Sequence, residues 1–303
     1  MTRAAGAGRR GVRAAGAAWR VLASGSAELN TRGMNTYPIC ATCGVQYPPD
    51  ADLAHCKICE DERQYVGYGG QRWTSLAELA DQGRTGVLRE EAPGLYGVGT
   101  EASFAIGQRA LLVPGAGGNL LWDCVSYLDE PTVARIEQLG GLAAIALSHP
   151  HYYGAMVDWS RAFGDIPIYV HADDEQWLTR RDNVELWSGD RLEVLPGRTL
   201  LNAGVHFAGG TVLHWADGVD GRGALCTGDI FNVVADRRWV TFMYSYPNFI
   251  PEHPDTVRRA LDLVEPYAYE ALYGAWWERI ITADAKGAVA RSARRYLHHL
   301  GLE

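Results

Sequence analysis

An α+β fold joined to a small metal-stapled module is predicted from three observations. Short apolar segments between about residues 94 and 123 are broken by Gly-containing turns, the pattern of antiparallel hairpins. Further along, strand-like and helix-like segments alternate, the pattern of strands covered by helices. Ahead of both, four of the six cysteines fall into two pairs, Cys40-Ala-Thr-Cys43 and Cys56-Lys-Ile-Cys59.

The elements follow in order. Strands are expected at Gly94–Val98, Ser103–Ile106, Ala110–Val113, Asn119–Asp123, Ala143–Ser148, Ile168–Val170, Thr199–Asn202, Thr211–Trp215 and Gly223–Thr227. Helices are expected at Thr74–Asp81, Thr132–Leu139, Tyr152–Phe163, Glu175–Thr179, Asp255–Leu263 and Ala283–Leu300. Three regions separate. Residues 1–33, rich in Ala, Gly and Arg with the single acid Glu28, read as a disordered leader or a start placed too early, with Met34 the natural start. Residues 35–70 carry the cysteines and end in Gly67-Tyr-Gly-Gly70; residues 71–303 form the large domain.

Composition narrows the function classes. The chain of 303 residues is 47% hydrophobic, ample for a core, and its formal charge of -8 argues against nucleic acid as the main partner. No apolar run reaches the roughly 18–20 residues that span a bilayer, so neither a membrane partner nor a membrane location is expected. Paired cysteines at knuckle spacing, with Cys124 and Cys226 alone in apolar contexts, read as metal binding in a reducing cytoplasm rather than as a disulfide framework.

Two Cys-x-x-Cys knuckles twelve residues apart can each present two thiolates on a tight turn and together complete a tetrahedral site. A module this small buries too little apolar surface to fold alone, so the metal would supply folding energy. A structural Zn2+ on Cys40, Cys43, Cys56 and Cys59 is the main expectation; a rubredoxin-type iron or a redox dithiol are the alternatives.

The second metal signal is Ser148-His149-Pro150-His151, at the end of the apolar run Leu142–Leu147. Alternate residues leaving a strand point the same way, so His149 and His151 can aim at one ion. His206 stands before a Gly turn and a strand, and Gly228-Asp229 ends another strand.

On these motifs, residues from about 90 to 280 resemble the metallo-β-lactamase superfamily. The family's His-x-His-x-Asp-His reads here His149-Pro-His151-Tyr-Tyr153-Gly154; its Gly-His-Thr-Pro-Gly reads Val205-His206-Phe-Ala-Gly209; its strand-terminal Gly-Asp is Gly228-Asp229. The opening Gly94-Leu-Tyr-Gly-Val and Asn119-Leu-Leu-Trp-Asp123 are similar to its first hairpins. The resemblance implies an αββα sandwich with a metal site at one edge of the two sheets. It also implies that one metal is held by His149, His151 and His206, with Asp229 as fourth ligand or nearby base. The other half departs from the family. Tyr153 and Gly154 replace two ligands of its second metal, and Leu272-Tyr-Gly-Ala-Trp276 replaces the last histidine motif.

The expected activity is therefore that of a hydrolase with one Zn2+ or Fe2+ in the histidine site, acting on a small ester, thioester, lactone or amide. The alternatives are a non-haem iron oxidoreductase of dioxygenase type and a non-catalytic ligand-binding member of the fold. Asp229 and Tyr153 are the catalytic candidates, Tyr153 as a donor to substrate at the lost second-metal position. Tyr152, Tyr244, Tyr246, Tyr273 and Trp276 are the candidate pocket wall, and their aromatic rings suit an apolar or ring-bearing small molecule. Trp159 and Trp215 are expected in the core, and Arg237 and Arg238 at the surface.

Overall fold

The computed structural model describes residues 36–302; the expected leader lies outside them. Strands β1 (Ile39–Cys40) and β2 (Trp73–Thr74) pair antiparallel and close the cysteine module a few residues beyond Gly70. Helix α1 (Leu76–Asp81) follows, capped by the Ser75 side chain, which accepts from the amide of Glu78.

The first sheet has seven strands in chain order: β3 (Thr85–Ala92), β4 (Leu95–Glu101), β5 (Ala110–Val113), β6 (Leu120–Trp122), β7 (Ala144–Ala146), β8 (Ile168–His171) and β9 (Val184–Trp187). Strands β4 to β6 are antiparallel, as the Gly turns predict, and β3, which the sequence reading did not anticipate, pairs antiparallel with β4 along seven residue pairs. From β6 to β9 the pairing is parallel. Parallel neighbours need crossovers, and helices α2 (Glu130–Gln138) and α3 (Met156–Ala162) supply the first two. Asp129 caps α2 by accepting from the amide of Thr132, with a proline in the first turn.

The second sheet contains β10 (Arg191–Leu195), β11 (Arg198–Asn202), β12 (Thr211–Trp215) and β13 (Ala224–Gly228), all antiparallel. Short strands β14 (Asn232–Val233), β15 (Val240–Thr241), β16 (Met243–Ser245) and β17 (Ile250–Pro251) form two small hairpins. Helix α4 (Pro254–Val264) then leads to β18 (Ala271–Gly274), which pairs parallel to β13. Strand β19 (Ile280–Ile281) closes the sheet, and helix α5 (Ala285–His299) ends the chain.

Three apolar layers make this an αββα sandwich. Leu111, Trp122 and Ala146 of the first sheet meet Leu213, Trp215 and Cys226 of the second. Behind the second sheet, Leu201 and Leu225 pack with Val257 of α4 and Val289 of α5. Behind the first, Leu112 and Ile145 pack with Trp159 of α3 and with the module's Val45 and Ile58. Trp159 and Trp215 are thus core residues, as expected.

Three segments differ from expectation, and in one of them the helix expected at Glu175–Thr179 is a 3-10 helix at Ala172–Trp177. Ser103–Ile106 is a turn, with Ala105 at φ 51°; the Arg84 guanidinium donates to the carbonyls of Ala102 and Ser103, taking acceptors a strand ladder would use. The helix expected at Tyr152–Phe163 begins only at Met156, after a 3-10 turn at Pro150–Tyr152. Gly154 divides them at φ 49°, and a Cβ there would come within 2.7 Å of the Val125 carbonyl. Strands β9, β10 and β18 had no clear sequence signal: each is short, and the first two lack a continuous apolar face.

Candidate metal centre

Parallel strands deliver His149, His151 and Asp229, and an antiparallel turn delivers His206. Strand β7 ends at Ala146 and its chain runs on through Ser148 to His149 and His151; β13 ends in Gly228 and releases Asp229. His206 sits in the turn between β11 and β12. The carboxyl ends of parallel strands are where the chain leaves the sheet and can line a crevice without disturbing the ladder.

Two of the imidazoles are held by the far nitrogen, while His151 Nε2 is buried without a hydrogen-bond partner. His149 Nδ1 lies 2.9 Å from Ser148 Oγ, and the Ser148 amide donates to Asp123 at 2.8 Å. His206 Nδ1 lies 2.7 Å from the Tyr244 carbonyl, and the His206 amide donates to Glu252 at 2.7 Å. His206 occupies φ 69°, a left-handed conformation uncommon outside glycine, and these contacts on both sides hold it there. Ser148, Asp123, Glu252 and the Tyr244 carbonyl are positioning groups; Ser148 and Asp123 lie in the quoted motifs, but sequence reasoning reads no positioning role for any of the four. Their signal is purely spatial.

The three rings each offer a nitrogen, and these lie within 4.8 Å of one another. His206 Nε2 and His151 Nδ1 are 3.1 Å apart, close to the roughly 3.4 Å edge of a tetrahedron with metal–nitrogen bonds of about 2.1 Å. His149 Nε2 is 3.4 Å from Asp229 Oδ1, and both atoms are buried without a hydrogen-bond partner. Unpartnered buried polar atoms that converge in this way are what a metal ion would satisfy, so the donor set fits one. Burial holds all three imidazoles below their ordinary range, His206 at about 4, which keeps them neutral, the form that ligates. Burial also pushes the Asp229 carboxyl up to about 7, with the Tyr152 phenol beside it acting in the opposite sense.

The four cysteines make a second, closed cluster. All are buried, and their sulfurs lie within 4.8 Å of one another. Cys40 and Cys59 Sγ are 3.5 Å apart, Cys43 and Cys56 Sγ 3.7 Å, against about 3.8 Å for the edge of a tetrahedron with 2.3 Å zinc–sulfur bonds. Gln71 Nε2 donates to Cys40 Sγ at 3.2 Å, and the Tyr47 hydroxyl lies 3.3 Å from Cys56 Sγ. Such donors support thiolates.

A cavity of about 260 Å³ opens on His151, His206 and Asp229. Of the five aromatics expected in its wall, Tyr246 and Trp276 line it. Trp276 Nε1 donates to the Ile106 carbonyl, and the Tyr246 hydroxyl donates to the Asp229 carbonyl at 2.6 Å. Tyr152 stands behind the site, its ring 4.4 Å from that of His149. Tyr152, Tyr244 and Tyr273, the other three, do not line the cavity. Tyr244 contributes its backbone to His206 while its hydroxyl turns to Glu62, and Tyr273 packs between the sheets.

Tyr153 is the main correction. It is buried in the core behind the first sheet, its hydroxyl 3.5 Å from the Asp174 carbonyl, and it does not line the cavity. The 3-10 turn rotates it away from the face that carries His151. Gly154 likewise serves packing: its carbonyl accepts from the Gln46 amide of the cysteine module at 3.0 Å. Arg237 and Arg238 line a separate depression, where Arg238 pairs with Asp236. What sequence reasoning missed is that Thr42, Gln64 and Tyr65 of the module line the cavity too.

The sandwich with its edge cluster of histidines defines the class. The DIM-1 metallo-β-lactamase exposed to ceftazidime superposes with a TM-score of 0.51 at 13% identity, over 70% of this chain and 97% of that one. The FIM-1 metallo-β-lactamase from Pseudomonas aeruginosa in its mono-zinc form gives 0.51 at 12% identity, over 70% and 96%. At such identities the likeness establishes the metallo-β-lactamase fold. No family model matches the chain. A nearer relative is the uncharacterized protein YmaE of Bacillus subtilis (strain 168), 48% identical over 270 residues, which cover 88% of this chain and 98% of YmaE. The chain belongs to the same family as YmaE.

Proposed function

We propose that the protein is a metal-dependent hydrolase that uses one ion in the histidine site. The substrate would be a small uncharged ester, thioester, lactone or amide with an apolar or aromatic group. The observation that carries this reading is the convergence of His149 Nε2, His151 Nδ1 and His206 Nε2 beside Asp229 at a cavity. A zinc or ferrous ion bound there would polarise a carbonyl, and zinc would bring the pKa of bound water to about 7.

The chain's own residues supply the rest. Asp229 Oδ1, 3.4 Å from His149 Nε2, serves as fourth ligand or as proton acceptor for the attacking water. Ser148 and the Tyr244 carbonyl fix the rings of His149 and His206. Tyr246 and Trp276 shield the site and favour apolar substrate surface, and among the described residues no lysine or arginine lines the cavity to receive a carboxylate. The four-cysteine site is read as structural zinc. The knuckle spacing of the four cysteines, which suits metal binding rather than a disulfide framework, is what supports a reducing compartment such as the cytoplasm. Among the described residues no helix is long and apolar enough to cross a membrane.

The test loads the metal-free histidine site with Zn2+ or Fe2+ and follows hydrolysis of p-nitrophenyl acetate and p-nitroacetanilide alongside oxygen uptake. Hydrolysis that disappears in His149→Ala is expected. Oxygen uptake with Fe2+ and no hydrolysis with either metal would replace this reading with an oxidoreductase.

A further inference from the structure

The cysteine module reaches into the cavity with one side chain that the fold does not employ. Gln64 is 6% exposed, lines the cavity near His151 and His206, and its Oε1 is buried with no hydrogen-bond partner. Its backbone, by contrast, is held on both sides: the Gln64 amide donates to the Asp61 carbonyl at 3.0 Å, and the Gln64 carbonyl accepts from Asn248 Nδ2 at 3.3 Å.

The segment before it is fastened to the histidine loop. Arg63 pairs with Asp61 at 2.5 Å, lies 4.0 Å over the Phe207 ring and donates to the His206 carbonyl at 3.4 Å. Ser245 Oγ donates to the Arg63 carbonyl, and Asn248 Nδ2 to that of Glu62. A side chain on so well anchored a backbone is positioned rather than loose. A buried amide oxygen left without a donor is costly, and such orphans call for a specific explanation.

We propose that Gln64 is a substrate-binding residue, whose Oε1 accepts a hydrogen bond from an N–H or O–H donor carried by the substrate beside its apolar or aromatic group. Binding by Gln64 stands without the hydrolase reading; only the identity of the ligand as a hydrolysable substrate rests on it. The consequence is a preference for amides or hydroxylated compounds over analogues that lack the donor. A site with a buried polar group discriminates sharply against a ligand that leaves it unpaired.

The probes are phenylacetamide, which has the donor, and methyl phenylacetate, which lacks it. Ligand-observed NMR on the metal-loaded full chain reports binding and conversion in the same tube. The wild type should prefer phenylacetamide. Gln64→Leu should weaken phenylacetamide about tenfold, the worth of one net hydrogen bond, and leave methyl phenylacetate within about twofold. Metal content should not change, and the melting temperature should hold or rise, because no protein contact to Oε1 is lost. Gln64→Asn, which retracts the amide by one methylene, should fold as wild type and show a smaller loss in the same direction.

No preference in the wild type overturns the proposal. So does an equal loss for both probes, or a lowered melting temperature in both variants, the mark of a structural role. Preference without conversion leaves Gln64 as a binding residue and defeats the hydrolase reading alone.

Discussion

The two candidate metal sites solve the same problem in opposite ways. The four cysteines come from 20 consecutive residues, Cys40 to Cys59, and are enclosed. The histidines and Asp229 come from three segments spread between residues 149 and 229, and they open on a cavity. In the module, secondary structure beyond the knuckles amounts to the two-residue pair β1–β2. Its fully buried aliphatics are few, Ile39, Val45 and Ile58, at about 1.5–3 kcal/mol each. Ordering its backbone costs about 1–2 kcal/mol per residue. The module would therefore depend on a bound metal and on docking against the first sheet, whereas the histidine site is framed by two sheets with apolar layers of their own. In one region a metal would make the structure; in the other the structure makes the candidate metal site.

That contrast is broken most directly at the cysteines. Cys43→Ala should cost roughly 5 kcal/mol or more, because the binding free energy of a structural metal is folding free energy. Denaturant unfolding measures it, and protease cleavage between residues 44 and 72 should accompany it. A variant that stays as stable as wild type would remove the metal from the account of the module. His149→Ala should do the reverse. Metal analysis should find one ion fewer per chain with the cysteine metal retained, and kcat/KM should fall about 1,000-fold, roughly 4 kcal/mol of transition-state stabilisation.

The link between the regions is tested at Arg63. Arg63→Ala leaves the half-buried Asp61 unpaired and strips the cation from the Phe207 face, so it should cost about 2–3 kcal/mol. It should also loosen the His206 turn, read as weaker metal affinity at the histidine site with the cysteine site unchanged.

The smallest effect is one of pH. Burial pushes the Asp174 carboxyl, beside the Gly209 amide, up from 3.8 to about 7. The folded state thus holds a proton that the unfolded state releases, so this group lowers stability progressively as pH rises from about 4 to about 7. Asp174→Asn should flatten that slope by on the order of 2 kcal/mol across the window, measured by urea unfolding at pH 4.5 and 7.5. An unchanged slope would mean that Asp174 is ionised in the fold.

Much of the fold and of both metal sites is legible in the amino-acid sequence. Two knuckles twelve residues apart, a His-x-His at the end of a buried run and a strand-terminal Gly-Asp each place their donors through local geometry: a tight turn, a two-residue strand period, a chain leaving a sheet. Those rules hold wherever the segment lies in the fold, so the sequence alone determined which residues could converge, while the αββα class followed from the family resemblance that these motifs carry. The direction of Tyr153, by contrast, depends on Gly154 meeting the Val125 backbone, a contact between residues 29 apart in sequence. The retreat of Tyr273 into the core and the choice of Tyr246 and Trp276 for the cavity wall follow from which sheet face each element buries. The entry of Gln64 into the site follows from the Arg63 anchor on Phe207 across 144 residues of chain. Local sequence specifies the donors; only tertiary packing, which sets distances between remote segments, decided what surrounds them.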